Sequence, residues 1–196
     1  MNPFDPRTAR KAGEAAAKEV GKLWLRKGER LLLTLPPLFG YSGALIGGVR
    51  GVPHVAPDDL PALRLDRCRW PLPADGDLEW TEDPTVAYWA EAADRRQDAV
   101  RFLDGLAASR GIARFTMTTQ RVALLLPAGM LTEPGGRTGL VELYEVEPGR
   151  VRGLRSQFLG RSVPPVRTVT VDFADGSTLW LRDRLAAEKV AAALSR

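Results

Sequence analysis

One stretch of the chain has the outline of a catalytic element. Gly40-Tyr41-Ser42-Gly43-Ala44 follows an apolar run and resembles a nucleophile elbow with Ala in place of the last Gly. Such an elbow needs a sharp strand-to-helix turn and a histidine well downstream. The sole histidine, His54, comes only twelve residues after Ser42, ahead of every candidate acid in the usual chain order. The strand–helix alternation of that hydrolase class is also missing, so a small serine hydrolase is the weakest functional reading. His54, between Pro53 and Val55, has no His/Cys cluster at metal-ligand spacing and reads as a loop histidine. Asp75, Asp77 and Glu79 begin like a calcium loop, but the downstream glycine and glutamate are missing. Gly47-Gly48-Val49-Arg50-Gly51 lacks the spacing and the lysine of a phosphate loop. Asp58 and Asp59 are adjacent, which suits a loop or a cap better than an opposed catalytic pair. These readings point away from an enzyme, and no cofactor or metal is expected.

The stronger chemical signal is cationic. Arg137, Arg150, Arg152, Arg155, Arg161 and Arg167 form the best candidate patch for a partner or an anion. Two-residue spacing would put Arg150 and Arg152 on one strand face. Nucleic acid is disfavoured, because only Phe158 interleaves these arginines and a stacking platform needs more aromatics. The competing use is a solvated face paired across strands with Glu142, Glu145 and Glu147.

Charge is unevenly spread along the 196 residues. Residues 1–30 carry +4, residues 31–100 carry −5 and residues 101–196 carry +5, so an acidic middle lies between basic ends. Segment-to-segment contact or an anionic partner would both use that asymmetry. A single cysteine, Cys68, forbids an intrachain disulfide and fits a reducing, cytoplasmic setting. No secretory leader is expected from the mixed charges of the first thirty residues.

The elements that must position these residues follow from periodicity. Residues 1–28 form an N-terminal segment whose helix, over 7–27, carries a thin Ala-rich stripe with Trp24 as its anchor. It docks on its own domain rather than on a membrane. Leu31–Val49 is an uncharged run of 19 residues, but Pro36, Pro37 and four glycines exclude a spanning helix. A strand over 29–35 and a buried or interfacial loop suit it better. Residues 51–84 read as irregular, pinned by Trp70 and Trp80. A helix is predicted over about 84–109, with Pro84 in its first turn and Gly111 as its C-terminal cap. Strands follow over 113–118, 122–126, 141–147, 150–158, 166–173 and 177–182, and Asp183 caps a closing helix to about Ser195.

The last hairpin permits a register. A two-residue Asp175-Gly176 turn would set Leu179 against Asp172. A three-residue loop, Ala174-Asp175-Gly176, pairs Phe173 with Ser177, Val171 with Leu179 and Val169 with Leu181, so apolar meets apolar. The longer loop is predicted, with Gly176 left-handed. Trp180 then points away from that core. It is either covered by another element or part of a binding surface, and it joins the arginines as a candidate binding residue.

Ala113 to Leu126 (ARFTMTTQRVALLL) resembles the strand, Thr, short turn, Arg, apolar-strand hairpin of bacterial pleckstrin-homology-like (PH-like) domains, with Thr118 and Arg121 at its typical positions. The hairpin over Val169–Leu181 with its short following helix is similar to the close of that fold, and Gly28-Glu29-Arg30 before Leu31–Leu35 to its opening strand. The resemblance implies an α+β fold: an antiparallel PH-like sheet or barrel capped by a C-terminal helix. Residues 29–196 would form one domain, with a long helical insertion over 37–110. It also implies a non-catalytic module that binds lipid headgroups, peptides or partner proteins. Lipid-binding members use basic residues in the loop after the first strand, where this chain offers Arg50. A partner protein is therefore the expected ligand. A peripheral role at an anionic membrane, resting on Leu31–Val49 beside Arg26, Lys27 and Arg30, is the alternative.

Overall fold

The computed structural model describes residues 6–65, 79–161 and 166–195. Asp75, Asp77, Cys68 and Trp70 lie outside the described residues. The chain folds as an α+β structure with two sheets and three helices among the described residues. In chain order these are α1 (Pro6–Leu23), β1 (Leu31–Thr34), β2 (Tyr41–Ile46), β3 (Val49–Gly51), β4 (Val86–Ala92), α2 (Asp98–Ala108) and β5 (Arg114–Thr118), then β6 (Val122–Pro127), β7 (Leu140–Val146), β8 (Val151–Leu159), β9 (Val166–Phe173), β10 (Thr178–Arg182) and α3 (Ala186–Leu194).

One sheet runs β1-β5-β6-β7 and the other β3-β2-β4-β10-β9-β8. All pairings are antiparallel except β2 with β4. The sheets do not close into a barrel. Alternation decides their faces: Phe115, Met117, Leu124 and Leu126 of the first sheet and Val169, Val171, Leu179 and Leu181 of the second turn inward to one core. The helix α2 lies in that core. Phe102 is fully buried, 5.5 Å from the Phe173 ring, 5.2 Å from Phe115 and 4.9 Å from Tyr144, so one side chain joins both sheets. At one side α3 packs on β1, β8 and β9, spanning from one sheet to the other.

Two expectations are corrected. The helix read over 84–109 is a strand, β4, followed by a shorter helix from Asp98. Residues 86–90 are buried on both faces, so the strand has no polar alternate positions and its apolar run imitates a helical stripe. The 37–110 segment is also more than a helical addition. It supplies β2, β3 and β4 to the six-stranded sheet and α2 to the core.

The uncharged Leu31–Val49 run is consumed mostly by two strands, with Leu33, Leu35 and Ala44 in the core and Leu38 and Phe39 left exposed. No helix among the described residues is long and apolar enough to cross a membrane. The β9–β10 hairpin has the longer loop: Val171 pairs with Leu179, Val169 with Leu181, and the Phe173 N–H donates to Ser177 O at 2.9 Å. Gly176 takes φ +86°, a left-handed angle that glycine adopts without steric penalty.

Candidate functional site

The Thr118–Arg121 turn organises the first sheet. The Thr118 hydroxyl accepts the N–H groups of Gln120 and Arg121 at 3.1 and 3.0 Å and donates to Glu29 at 2.6 Å. Arg121 is swung inward. Its Nε and Nη2 donate to the two oxygens of Glu29 at 2.9 and 3.1 Å, and its Nη1 to Glu142 and Glu145 at 3.1 Å each. Its guanidinium lies 3.5 Å from the Trp24 ring centroid. Burial opposes ionisation of Glu29, but bonds from Arg121, the Arg26 N–H and Thr118 outweigh it and hold the carboxyl down at about 2. Every donor group of Arg121 is thus engaged inside the protein, and this turn offers no free cation to a ligand. Glu142 and Glu145, expected to face the β8 arginines, serve Arg121 instead, because β7 and β8 belong to different sheets.

The six arginines and Trp180 predicted as binding residues do not form one patch. Arg150 is exposed at the surface but engaged: its Nε donates to the buried Asp98 at 2.7 Å and its Nη2 lies 3.5 Å from Asp175. The Tyr144 hydroxyl donates to the other Asp98 oxygen at 2.9 Å, and burial together with that carboxylate pushes the phenol up to about 12. Arg150 sits in a tight turn, Pro148–Arg150, and the β8 register shifts between Val151 and Gly153, so Arg150 and Arg152 do not share a regular strand face. Arg137 is exposed in the β6–β7 loop, on the other sheet. Arg161 follows β8, with its backbone N–H on Glu82 at 3.1 Å.

Trp180 is covered, not displayed. It is 9% exposed, tilted 5.6 Å from Trp80, which in turn stacks 5.0 Å over Trp89. On β8 itself Arg152, Arg155 and Phe158 are exposed, Arg155 lies 3.0 Å from Asp172, and Arg167 stacks 3.7 Å from the Phe158 ring centroid.

Sequence reasoning missed a second site. Ser42, His54 and Asp104 converge beneath α2. The His54 N–H donates to Ser42 O at 2.6 Å, which continues the β2–β3 pairing and sets the two residues side by side. The His54 Nε2 lies 2.6 Å from Asp104 Oδ1, with the two side chains 4% and 5% exposed. Ser42 sits inside strand β2 rather than on an elbow. Among the described residues, the only hydrogen bond between Ser42 and His54 is this main-chain one. The catalytic requirement of a serine hydroxyl bonded to the imidazole is therefore unmet. No group of three or more His, Cys, Asp or Glu among the described residues could hold a metal ion.

Ser42 and His54 line a cavity of about 560 Å³ whose other walls are the Pro53–Leu65 segment and the end of α2, including Arg110. Arg110 ends α2 with φ +53°, a left-handed conformation that costs a non-glycine residue about 1–2 kcal/mol. The following Gly111 has no room for a side chain, since a Cβ there would lie 2.0 Å from Leu38 O. Ser42 and His54 are weighed as a pair in the sequence, but Asp104, 50 residues beyond His54, leaves no local pattern that links it to them. Compared with protein-family models, with curated proteins and with solved structures, the chain finds no significant match in any of the three.

Proposed function

We propose that the protein is a non-catalytic interaction module whose open sheet edge, β8, takes an extended acidic segment of a partner protein. One observation carries this reading. The strand β8 is nine residues long, is bonded in the sheet only to β9 among the described residues, and displays Arg152, Arg155 and Phe158 alongside its contact with α3. An unpaired strand edge is a template for another strand. Its cations repel a second copy of the same edge and favour a segment of opposite charge. The Arg155–Asp172 pair is half exposed, so its attraction is weak and easily exchanged for a partner carboxylate. The Thr118–Arg121 hairpin and the closing hairpin with α3 support a resemblance to PH-like modules, whose members include peptide and partner-protein binders.

A fluorescent decapeptide alternating Glu and Val tests the reading by anisotropy. Wild type should bind with an affinity that falls as salt rises. Arg152→Glu with Arg155→Gln, which sets no like charge against Asp172, should weaken binding by at least about tenfold while leaving thermal unfolding nearly unchanged. Arg150 is unsuitable for this test, because reversing its charge would break the Asp98 network. A wild-type protein that ignores the peptide, or a double variant that binds equally well, rejects the reading. Binding to anionic phospholipid vesicles in place of the peptide would favour the membrane alternative.

A further inference from the structure

We infer that the cavity under α2 is a binding site for a small monocarboxylate with an apolar body, with Arg110 as the residue that takes the carboxylate. Three observations converge on Arg110. It lines the cavity, it makes no ion pair or side-chain hydrogen bond among the described residues, and its Nη2 is shut off from solvent without a partner. A guanidinium nitrogen without a partner beside a cavity is a donor that a bound anion would satisfy. Its backbone conformation strengthens the point. Glycine is the easy residue at this helix end, and a long cationic side chain is present there despite a strained φ of +53°.

The cavity defines the rest of the ligand. Its walls are mainly Pro53, Pro57, Pro61, Leu60, Leu63 and Ala107, which suit an apolar body, and its volume of about 560 Å³ falls in the range of small-molecule sites. Among the described residues Asp58 is the one acid that lines it, and it is exposed, which disfavours a polyanion such as a phosphate ester. The Ser42 hydroxyl, without a side-chain partner among the described residues, adds a hydrogen-bonding group at the cavity wall. His54 is held by Asp104 and fixes the floor.

Calorimetry on the full chain with octanoate and phenylacetate, against octanol and phenylethanol, tests the inference. At least one carboxylate should bind, and its alcohol should bind at least about tenfold more weakly. Arg110→Gly should unfold at the same or a higher temperature, since glycine relieves the strained backbone, yet lose carboxylate binding by at least about tenfold. Absence of binding by both acids at about 10 mM, weaker than any useful site, overturns the inference. So does equal binding of acid and alcohol, or an Arg110→Gly protein that binds as wild type does. The β8 edge lies on another strand of the sheet, so this result is independent of the peptide test.

Discussion

Arg121 and Glu29 form a bidentate ion pair sealed from solvent, with side chains 4% and 0% exposed. They are 92 residues apart in the chain, so the pair fixes the entry of β1 against the β5–β6 turn and, through Trp24, the end of α1. Removing Arg121 leaves the buried Glu29 carboxylate with only the Arg26 N–H and the Thr118 hydroxyl, whereas removing Glu29 leaves Arg121 its exposed partners Glu142 and Glu145.

Glu29→Gln and Arg121→Met should each destabilise the fold by about 3–5 kcal/mol in urea unfolding. The double variant should cost clearly less than the two added together, because Arg121→Met alone strands the buried Glu29 carboxylate and the second change removes that charge. Additive losses would show that the pair is not coupled.

The same pair gives a pH dependence. The folded Glu29 carboxyl sits at about 2, below its ordinary value of 4.5. Its stabilisation is therefore fully present above pH 4.5 and is lost as pH falls through that range toward 2. Wild type should lose stability over this window, and Glu29→Gln should lose measurably less. Parallel acid profiles for the two proteins would contradict the assignment.

Asp175 and Ser177 cap α2 from a distant turn. Asp175 Oδ2 accepts the Asp98 N–H at 2.7 Å, and Ser177 Oγ accepts the Ala99 N–H at 3.1 Å. Burial raises the Asp175 carboxyl, but these backbone and Ser177 bonds outweigh it and hold it below the ordinary range. Asp175→Ala should cost about 1–2 kcal/mol, and amide exchange should accelerate first at the start of α2. Unchanged exchange there would remove the cap from the account.

Ser42 should not label with a fluorophosphonate probe, since its hydroxyl is not bonded to His54 and lies inside a strand. Labelling at Ser42 that disappears in His54→Ala and Asp104→Asn would restore the hydrolase reading.

How far the sequence could be read depended on whether a neighbour in sequence or a distant element decided the outcome. The β9–β10 register was legible because Val169, Val171, Leu179 and Leu181 must share a buried face and only one loop length achieves it. Trp24 was legible as an anchor because α1 holds few other large apolar residues. The strand β4 was not, because a central strand covered on both faces loses the alternation that marks strands. The start of α2 was hidden for another reason: its cap comes from Asp175, 77 residues away, not from a local Ser or Asp. The engagement of Arg150 was not legible because its partner Asp98 is also remote in sequence. The Ser42–His54–Asp104 convergence needed the β2–β3 pairing and the placement of α2, neither of which leaves a local pattern.

Amide hydrogen exchange along β8 tests the central claim most directly. In the free protein, the amides of residues 152–158 that point away from β9 should exchange fast, and the Glu/Val decapeptide should protect them while leaving β1 and β3 unchanged. Outward amides already protected in the free protein, or protection by the peptide appearing elsewhere, would contradict β8 as the docking edge.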